Sequence, residues 1–253
     1  MTRRLEGTVA LVTGASSGIG HATALELARE GASVALVGRR EDRLTGLAAE
    51  ISDAGGRALV VPADITTAQA AAEAVERTVE GLGRLDTLVN NAGLMLLGPT
   101  PGADLDEWRR MIDINLMGLV YSTHAAIPHL VKAAAEGPRQ VADIVNISSL
   151  NGRTAFAMSA VYSATKFGVG GFSEAVRQEL ARQHVRVSVV EPGSVETELR
   201  THNSEVVQQL IVAGLGDIER LQSEDVADAI GYIVTRPRHV AVGELLVRPT
   251  EQA

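Results

Sequence analysis

Short apolar runs recur along the chain, and between them lie longer stretches whose apolar positions fall three and four residues apart. The runs read as strands buried on both faces, and the stretches as helices that turn one apolar face to a core. Strands are expected over 9–12, 33–37, 58–61, 86–89, 143–147, 186–190 and 244–247. A first helix is expected through Ala22, Leu25, Leu27 and Ala28 to a stop at Glu30-Gly31. Others are expected over about 42–54, about 67–80 and 160–183, and over 223–235 with Ser223 as cap. A long helical stretch opened by Asp104 or Asp106 reaches about residue 135 and contains Asn115 and Pro128, so a break is expected inside it. Residues 194–216 fit neither period and are expected to form a mobile cover over a crevice.

Between the first strand and the first helix stands Thr-Gly-Ala-Ser-Ser-Gly-Ile-Gly, residues 13–20. Gly14 suits a tight turn, Gly18 lets backbone approach an anionic ligand, and Gly20 leaves room where the helix packs on its strand. The exposed N–H groups of this loop, with Ser16, Ser17 and Ile19 among its residues, and the positive end of the helix dipole then face a pyrophosphate. Glycines also gather in turns that bind nothing, and it is the strand-before, helix-after context that favours a dinucleotide. The Gly-x-x-x-Gly-x-Gly spacing points to one branch of such folds. Strict strand–helix alternation with right-handed crossovers then predicts a single α/β domain, a Rossmann-type doubly wound parallel sheet of seven strands. Ligands of such a sheet bind beyond the carboxyl ends of its strands, where every Gly-, Asn- and Ser-rich turn of this chain falls.

Composition narrows the class further. Hydrophobic residues make up 45% of the 253 but aromatic ones only 3%, so the core has to be built from Val, Leu, Ile and Ala. A formal net charge of −8 argues against nucleic acid or an anionic membrane as partner. The absence of cysteine excludes disulfides, a thiolate nucleophile and a Cys-ligated metal. His124, His129, His184, His202 and His239 are scattered without metal-ligand spacing, and no metal is expected. With no apolar run of 18 residues and no signal-peptide pattern, a cytoplasmic protein is the expectation.

The chemistry gathers in Ser149, Tyr162 and Lys166. Tyr162 and Lys166 are four apart, so a helix projects both from one face. A phenol titrates near pH 10 in water, and a neighbouring ammonium favours the phenolate, which makes Tyr162 the candidate acid/base. Ser149, at a strand end 13 residues earlier, is placed to hydrogen-bond a reacting carbonyl or alkoxide oxygen. A Tyr/Lys pair alone is more often a surface feature, and it is the convergence of strand-end motifs that favours catalysis.

Taken together, Thr13-Gly14-x-x-x-Gly18-x-Gly20, Asn90-Asn91-Ala92-Gly93, Asn115, Ser149, Tyr162-x-x-x-Lys166 and Pro192-Gly193-x-x-x-Thr197 resemble the short-chain dehydrogenase/reductase family, over nearly the whole chain. The resemblance implies that Tyr162 is the general acid/base and that Lys166 lowers its pKa while holding the nicotinamide ribose. It implies that Ser149 orients the substrate oxygen and that Asn115 breaks the long helix to hold a water in a proton relay. Asp64, with Ile65 beside it, would meet the adenine; Asn91, Ala92 and Gly93 would line the cofactor floor; and Thr197 with the Val195 backbone, after Pro192 and Gly193, would fix the carboxamide. Residues 94–99 and 197–200 and the tail 248–250 are most similar to clavulanic acid dehydrogenase-like reductases.

Cofactor choice is expected at the end of the second strand. A binder of NAD places an acid there for the ribose 2′-OH, whereas this chain has Gly38, Arg39 and Arg40, which suit the 2′-phosphate of NADP(H). Solvated arginines at a helix start are the bland alternative. The expected reaction interconverts a small-molecule ketone or aldehyde with its alcohol. The alternatives are a dehydratase or epimerase and a silent cofactor-sensing module. Leu94, Met95, Ser149, Asn151 and Arg153 are the candidate substrate contacts, Arg153 facing either an acidic substrate or solvent. Leu94–Leu97 are expected either to be ordinary core or to line an apolar substrate pocket. A homotetramer, or failing that a homodimer, is expected, with Val169, Phe172, Val176 and Leu180 as apolar surface to cover.

Overall fold

The computed structural model describes residues 3–216 and 218–252. Seven strands form one sheet: β1 (Val9–Thr13), β2 (Ser33–Gly38), β3 (Arg57–Pro62), β4 (Thr87–Asn90), β5 (Ala142–Ile147), β6 (Val185–Pro192) and β7 (Glu244–Val247). Their order is β3-β2-β1-β4-β5-β6-β7, and every pairing is parallel. The order reverses between β1 and β4, which opens a crevice at their carboxyl ends.

The helices are α1 (Gly18–Arg29), α2 (Glu41–Asp53), α3 (Ala68–Leu82), α4 (Leu105–Ile112), α5 (Gly118–Glu136), α6 (Ala160–Leu180), α7 (Glu205–Leu215) and α8 (Ser223–Val234). Two cores sandwich the sheet. On one face Leu27, Leu44, Leu47, Ile51, Val226 and Ile230 from α1, α2 and α8 pack on the strands. On the other, Ala74, Val75, Ala126, Leu130, Val176 and Leu180 from α3, α5 and α6 do the same. Strands β1, β2, β4 and β5 carry hydrophobic residues pointing both ways, as strands covered on both faces must.

Some expectations are narrowed and others corrected. The break in the long helix falls at Asn115, inside a π-helical turn over Asp113–Met117, whereas α5 runs on through Pro128. The chain stays helical through the π turn, and Pro128 removes a ladder bond from α5 without ending it. Asp104, not Asp106, caps α4, accepting from the Asp106 N–H at 2.8 Å. Gln222 takes the cap position of α8 in place of Ser223, its N–H bonded to Asp225 Oδ2 at 2.7 Å. Residues 194–216 are more regular than expected: a 3₁₀ turn over Glu198–His202 is followed by α7. Val169, Val176 and Leu180 are buried within the subunit core, so they offer no apolar surface for assembly. Exposed apolar side chains stand instead at Leu105, Ile112 and Phe167.

At the amino end of the sheet an ion cluster ties β5 to β6. Arg186 donates to both oxygens of buried Asp143, at 2.7 and 2.9 Å, and to the Val234, Arg236, Pro237 and Val240 carbonyls. Arg139 adds a third contact to Asp143 at 3.3 Å.

Candidate active site

The turn after β1 and the turn after β4 hold each other. Thr13 Oγ1 accepts from the Asn91 and Ala92 N–H groups at 3.0 and 3.1 Å, and Asn91 Nδ2 donates to the Thr13 carbonyl at 3.0 Å. Gly14 has φ +66°, and a Cβ there would stand 2.8 Å from Ala92 Cα, so both the conformation and the close approach require glycine. Gly20 is needed for packing: its Cβ would overlap the Gly14 carbonyl and the Asn91 amide.

A cavity of about 840 Å³ lies beyond these turns and joins most of the predicted site residues. Gly14, Ser16, Ser17, Gly18 and Ile19 line it beside the loop; Gly38, Arg39, Arg40, Asp64 and Ile65 form one end. Asn91, Ala92 and Gly93 lie between the ends, and Pro192, Gly193, Val195 and Thr197 wall it opposite. Leu94, Met95, Ser149, Asn151, Tyr162 and Lys166 stand at the other end, with Phe156, Met158, Val207 and Leu210. Gly20, Asn115 and Arg153 are outside the lining.

The Ser149 hydroxyl is within hydrogen-bonding reach of the Tyr162 phenol and also accepts from the Asn151 N–H at 3.1 Å. Lys166, on the same face of α6, puts its Nζ 5.8 Å from the centre of the Tyr162 ring and donates to the Ile147 carbonyl at 2.8 Å. Burial pushes the Tyr162 phenol up to about 12, with the Ser149 hydrogen bond pulling the other way. Burial likewise lowers Lys166 to about 8. Burial thus favours the protonated phenol and the neutral amine.

Asn115 is buried, with Oδ1 accepting from the Leu94 N–H at 2.7 Å and Nδ2 donating to the Leu94 carbonyl at 2.8 Å. Its side chain therefore anchors the loop after β4 that lines the cavity near Tyr162. Arg153 lies outside the cavity lining and is partly exposed to solvent, where it pairs with Glu191, a buried acid at the end of β6, and with Glu244 on β7. The pairing ties the turn after Ser149 to the strand ends beside it.

Three contributors were missed in the sequence. Arg43, one helical turn beyond Arg40, joins the arginine end through Glu198, and that spacing was readable. Glu198 itself and Asn203 arrive from the far end of the chain with no local signal. Asn203 is buried, accepts from the Leu97 N–H at 2.7 Å and donates to the Met95 carbonyl at 2.9 Å, which binds 194–216 to the pocket floor.

A glycine-rich turn and a serine–tyrosine–lysine group line one strand-end crevice of a doubly wound α/β fold. The family model described as short chain dehydrogenase matches residues 8–208, and the chain belongs to that family. An uncharacterized oxidoreductase of Staphylococcus aureus (strain MRSA252) is 35% identical over 246 residues, covering 97% of this chain and 98% of that protein. Among solved structures, the closed form of serine dehydrogenase complexed with NADP+ is similar with a TM-score of 0.88 at 33% identity, covering 97% and 96% of the two chains. An alcohol dehydrogenase from Thermococcus sibiricus complexed with 5-hydroxy-NADP has a TM-score of 0.85 at 26% identity, covering 97% and 98%. A 3-ketoacyl-(acyl-carrier-protein) reductase from Brucella melitensis complexed with NADH has a TM-score of 0.83 at 33% identity, covering 96% and 97%. The chain is thus an oxidoreductase of the short-chain family, with the family's seven-stranded parallel sheet.

Proposed function

We propose that the protein is an NADP(H)-dependent carbonyl reductase or alcohol dehydrogenase in which Tyr162 exchanges the proton. The observation that carries the reading is the convergence of Ser149, Tyr162 and Lys166 at one end of a cavity whose other end holds Arg39 and Arg40. The nicotinamide, when bound, supplies or accepts the hydride. The Tyr162 phenol gives its proton to the carbonyl oxygen in reduction and takes it back from the alcohol in oxidation. Ser149 hydrogen-bonds that oxygen and Lys166 holds positive charge beside the phenol. Leu94, Met95, Phe156 and Leu210 favour a substrate with an apolar body. The test is consumption of NADPH across a panel of ketones and aldehydes, with the alcohol identified as product; no turnover across the panel by protein that binds NADPH would remove the reading.

The donor set at the end of β2 fits the 2′-phosphate. Arg40 lies against the Ser16 and Ser17 hydroxyls at 2.9 and 2.6 Å, Arg39 lies 4.0 Å from Asp64, and no acid stands at position 38. NADP in two of the three structural neighbours above supports the same choice, and NADH in the third leaves it to the arginines. A charge-assisted phosphate contact contributes about 1.5–3 kcal/mol, so NADPH should be preferred by ten- to a hundredfold, to order of magnitude. A Cβ at Gly38 would meet nothing closer than 3.6 Å, so Gly38→Asp fits the turn. Combined with Arg39→Leu it should lower or reverse the kcat/KM ratio of NADPH over NADH; an unchanged ratio would show that this turn does not read the phosphate.

The raised phenol gives a pH dependence of known sign. Reduction needs the protonated phenol, which is present below its pKa, so its rate should stay level through neutral pH. Oxidation needs the phenolate and should climb with pH by up to about tenfold per unit. Rates measured in both directions check this, and an oxidation rate that falls as pH rises would contradict it.

The exposed side chains of Leu105 (69%), Ile112 (41%) and Phe167 (46%) support a homotetramer or homodimer assembled through α4 and α6. Sedimentation should find no monomer at micromolar concentration. Among the described residues no helix is long and apolar enough to cross a membrane, and a cytoplasmic setting is part of this proposal. The narrower likeness to clavulanic acid dehydrogenase-like reductases rests on residues 94–99, 197–200 and 248–250.

A further inference from the structure

One carboxylate already occupies the arginine end. Arg40 Nη1 donates to Glu198 Oε2 at 2.9 Å and Arg43 Nη1 to Glu198 Oε1 at 2.6 Å. The two arginines stand at the start of α2, whereas Glu198 opens the 3₁₀ turn directly after Thr197, in the stretch that covers the substrate end. The other Arg40 nitrogens donate to Ser16 at 3.1 and 2.9 Å and to Ser17 at 2.6 Å, so every Arg40 donor nitrogen is engaged by the glycine loop or by Glu198. Arg39 is held only by the 4.0 Å contact with Asp64. Glu198 also stands between two cavities: with Ser16, Ser17 and Gly18 it lines both the main one and a neighbour of about 430 Å³. The two guanidinium groups hold its carboxyl below the usual carboxylate range.

A ribose 2′-phosphate carries nearly twice the charge of this carboxylate and three acceptor oxygens, and it needs the same guanidinium donors. We propose that Glu198 is a resident anion of the Arg40–Arg43 pair that the 2′-phosphate of the cofactor replaces, releasing the start of the covering segment when the phosphate binds. The inference rests on the NADP(H) reading. Glu198 then works against the phosphate it resembles, weakening its binding while coupling the adenosine end of the cavity to the cover at the other end. All three side chains are more than two-fifths exposed, so solvent screens the pair and the expected effect is several-fold rather than a hundredfold.

Calorimetric titration with adenosine 2′,5′-bisphosphate and with adenosine 5′-monophosphate, on the wild type and on Glu198→Gln, tests this without turnover. Removing the competing charge should tighten the bisphosphate by about three- to tenfold and leave the monophosphate unchanged. Glu198→Ala should behave like Glu198→Gln. Limited proteolysis within 194–216 is the second readout: the bisphosphate should speed cleavage of the wild type, whereas the variants should be cleaved fast with or without it. Equal bisphosphate affinity in wild type and variants, equal tightening of both nucleotides, or cleavage indifferent to the bisphosphate would overturn the exchange while leaving the cofactor reading intact. A wild type that binds the bisphosphate no better than the monophosphate would overturn the cofactor reading, and the exchange with it.

Discussion

Tyr162→Phe should lower turnover by about 10²- to 10⁴-fold, the range for removal of a general acid/base, while cofactor affinity changes little. The ring is buried and keeps its packing against Leu96 and Met111, so the substitution removes one oxygen and little else. That oxygen faces the Ser149 hydroxyl and stands on the helix face that also carries Lys166, and no other group there combines a titrating proton with that position. Ser149→Ala should cost less, since it takes away a hydrogen bond and leaves the proton source. Kinetics should show the loss in kcat and in kcat/KM alike, because the phenol acts in the transition state. Turnover of Tyr162→Phe at the wild-type rate would remove Tyr162 from the mechanism.

The largest expected effect on stability lies at the opposite end of the sheet. Asp143→Ala would leave buried Arg186 without its carboxylate and Arg139 without one of its partners. Breaking a buried ion pair in this way costs about 3–5 kcal/mol. In a chain of this size that lowers Tm by on the order of 10 °C. The cluster is at the amino ends of β5 and β6 and the site at their carboxyl ends, so turnover per folded molecule at low temperature should be unchanged. Thermal melting and an assay well below the transition separate the two effects. A Tm within about 2 °C of wild type would mean that solvent reaches Arg186 and replaces the acid.

The strands and their alternation with helices were legible because strands buried on both faces are runs of Val, Leu, Ile and Ala that helices do not imitate at that length. Predicted and observed bounds of β7 coincide, whereas β6 extends to Pro192 because its last residues pair with β7, a partner the local pattern does not reveal. The positions of most candidate site residues were legible for a related reason: in a doubly wound sheet every strand-end turn faces one crevice, so motifs spread over the chain converge. What stayed hidden is what two distant side chains do to each other. From the sequence Arg153 faces either an acidic substrate or solvent, because nothing near it shows Glu191 and Glu244 on the neighbouring strands. The sequence also does not show that the Asn115 amide bonds both backbone polar groups of Leu94, twenty-one residues away. Burial of the Tyr162 phenol, which raises its pKa, is likewise something a sequence does not display. Residues 194–216 looked irregular because a short 3₁₀ turn precedes α7, and the described part of that helix leaves Val206 and Leu210 exposed.

The measurement that reaches the central claim most directly is kcat/KM for one carbonyl substrate with NADPH and with NADH, in the wild type. A cavity with arginines at one end and Tyr162 at the other predicts hydride transfer to the carbonyl with both cofactors and a preference for NADPH of at least about tenfold. Equal kcat/KM with the two would show that Arg39 and Arg40 do not hold the 2′-phosphate, and carbonyl reduction with neither would show that Ser149, Tyr162 and Lys166 serve some other reaction.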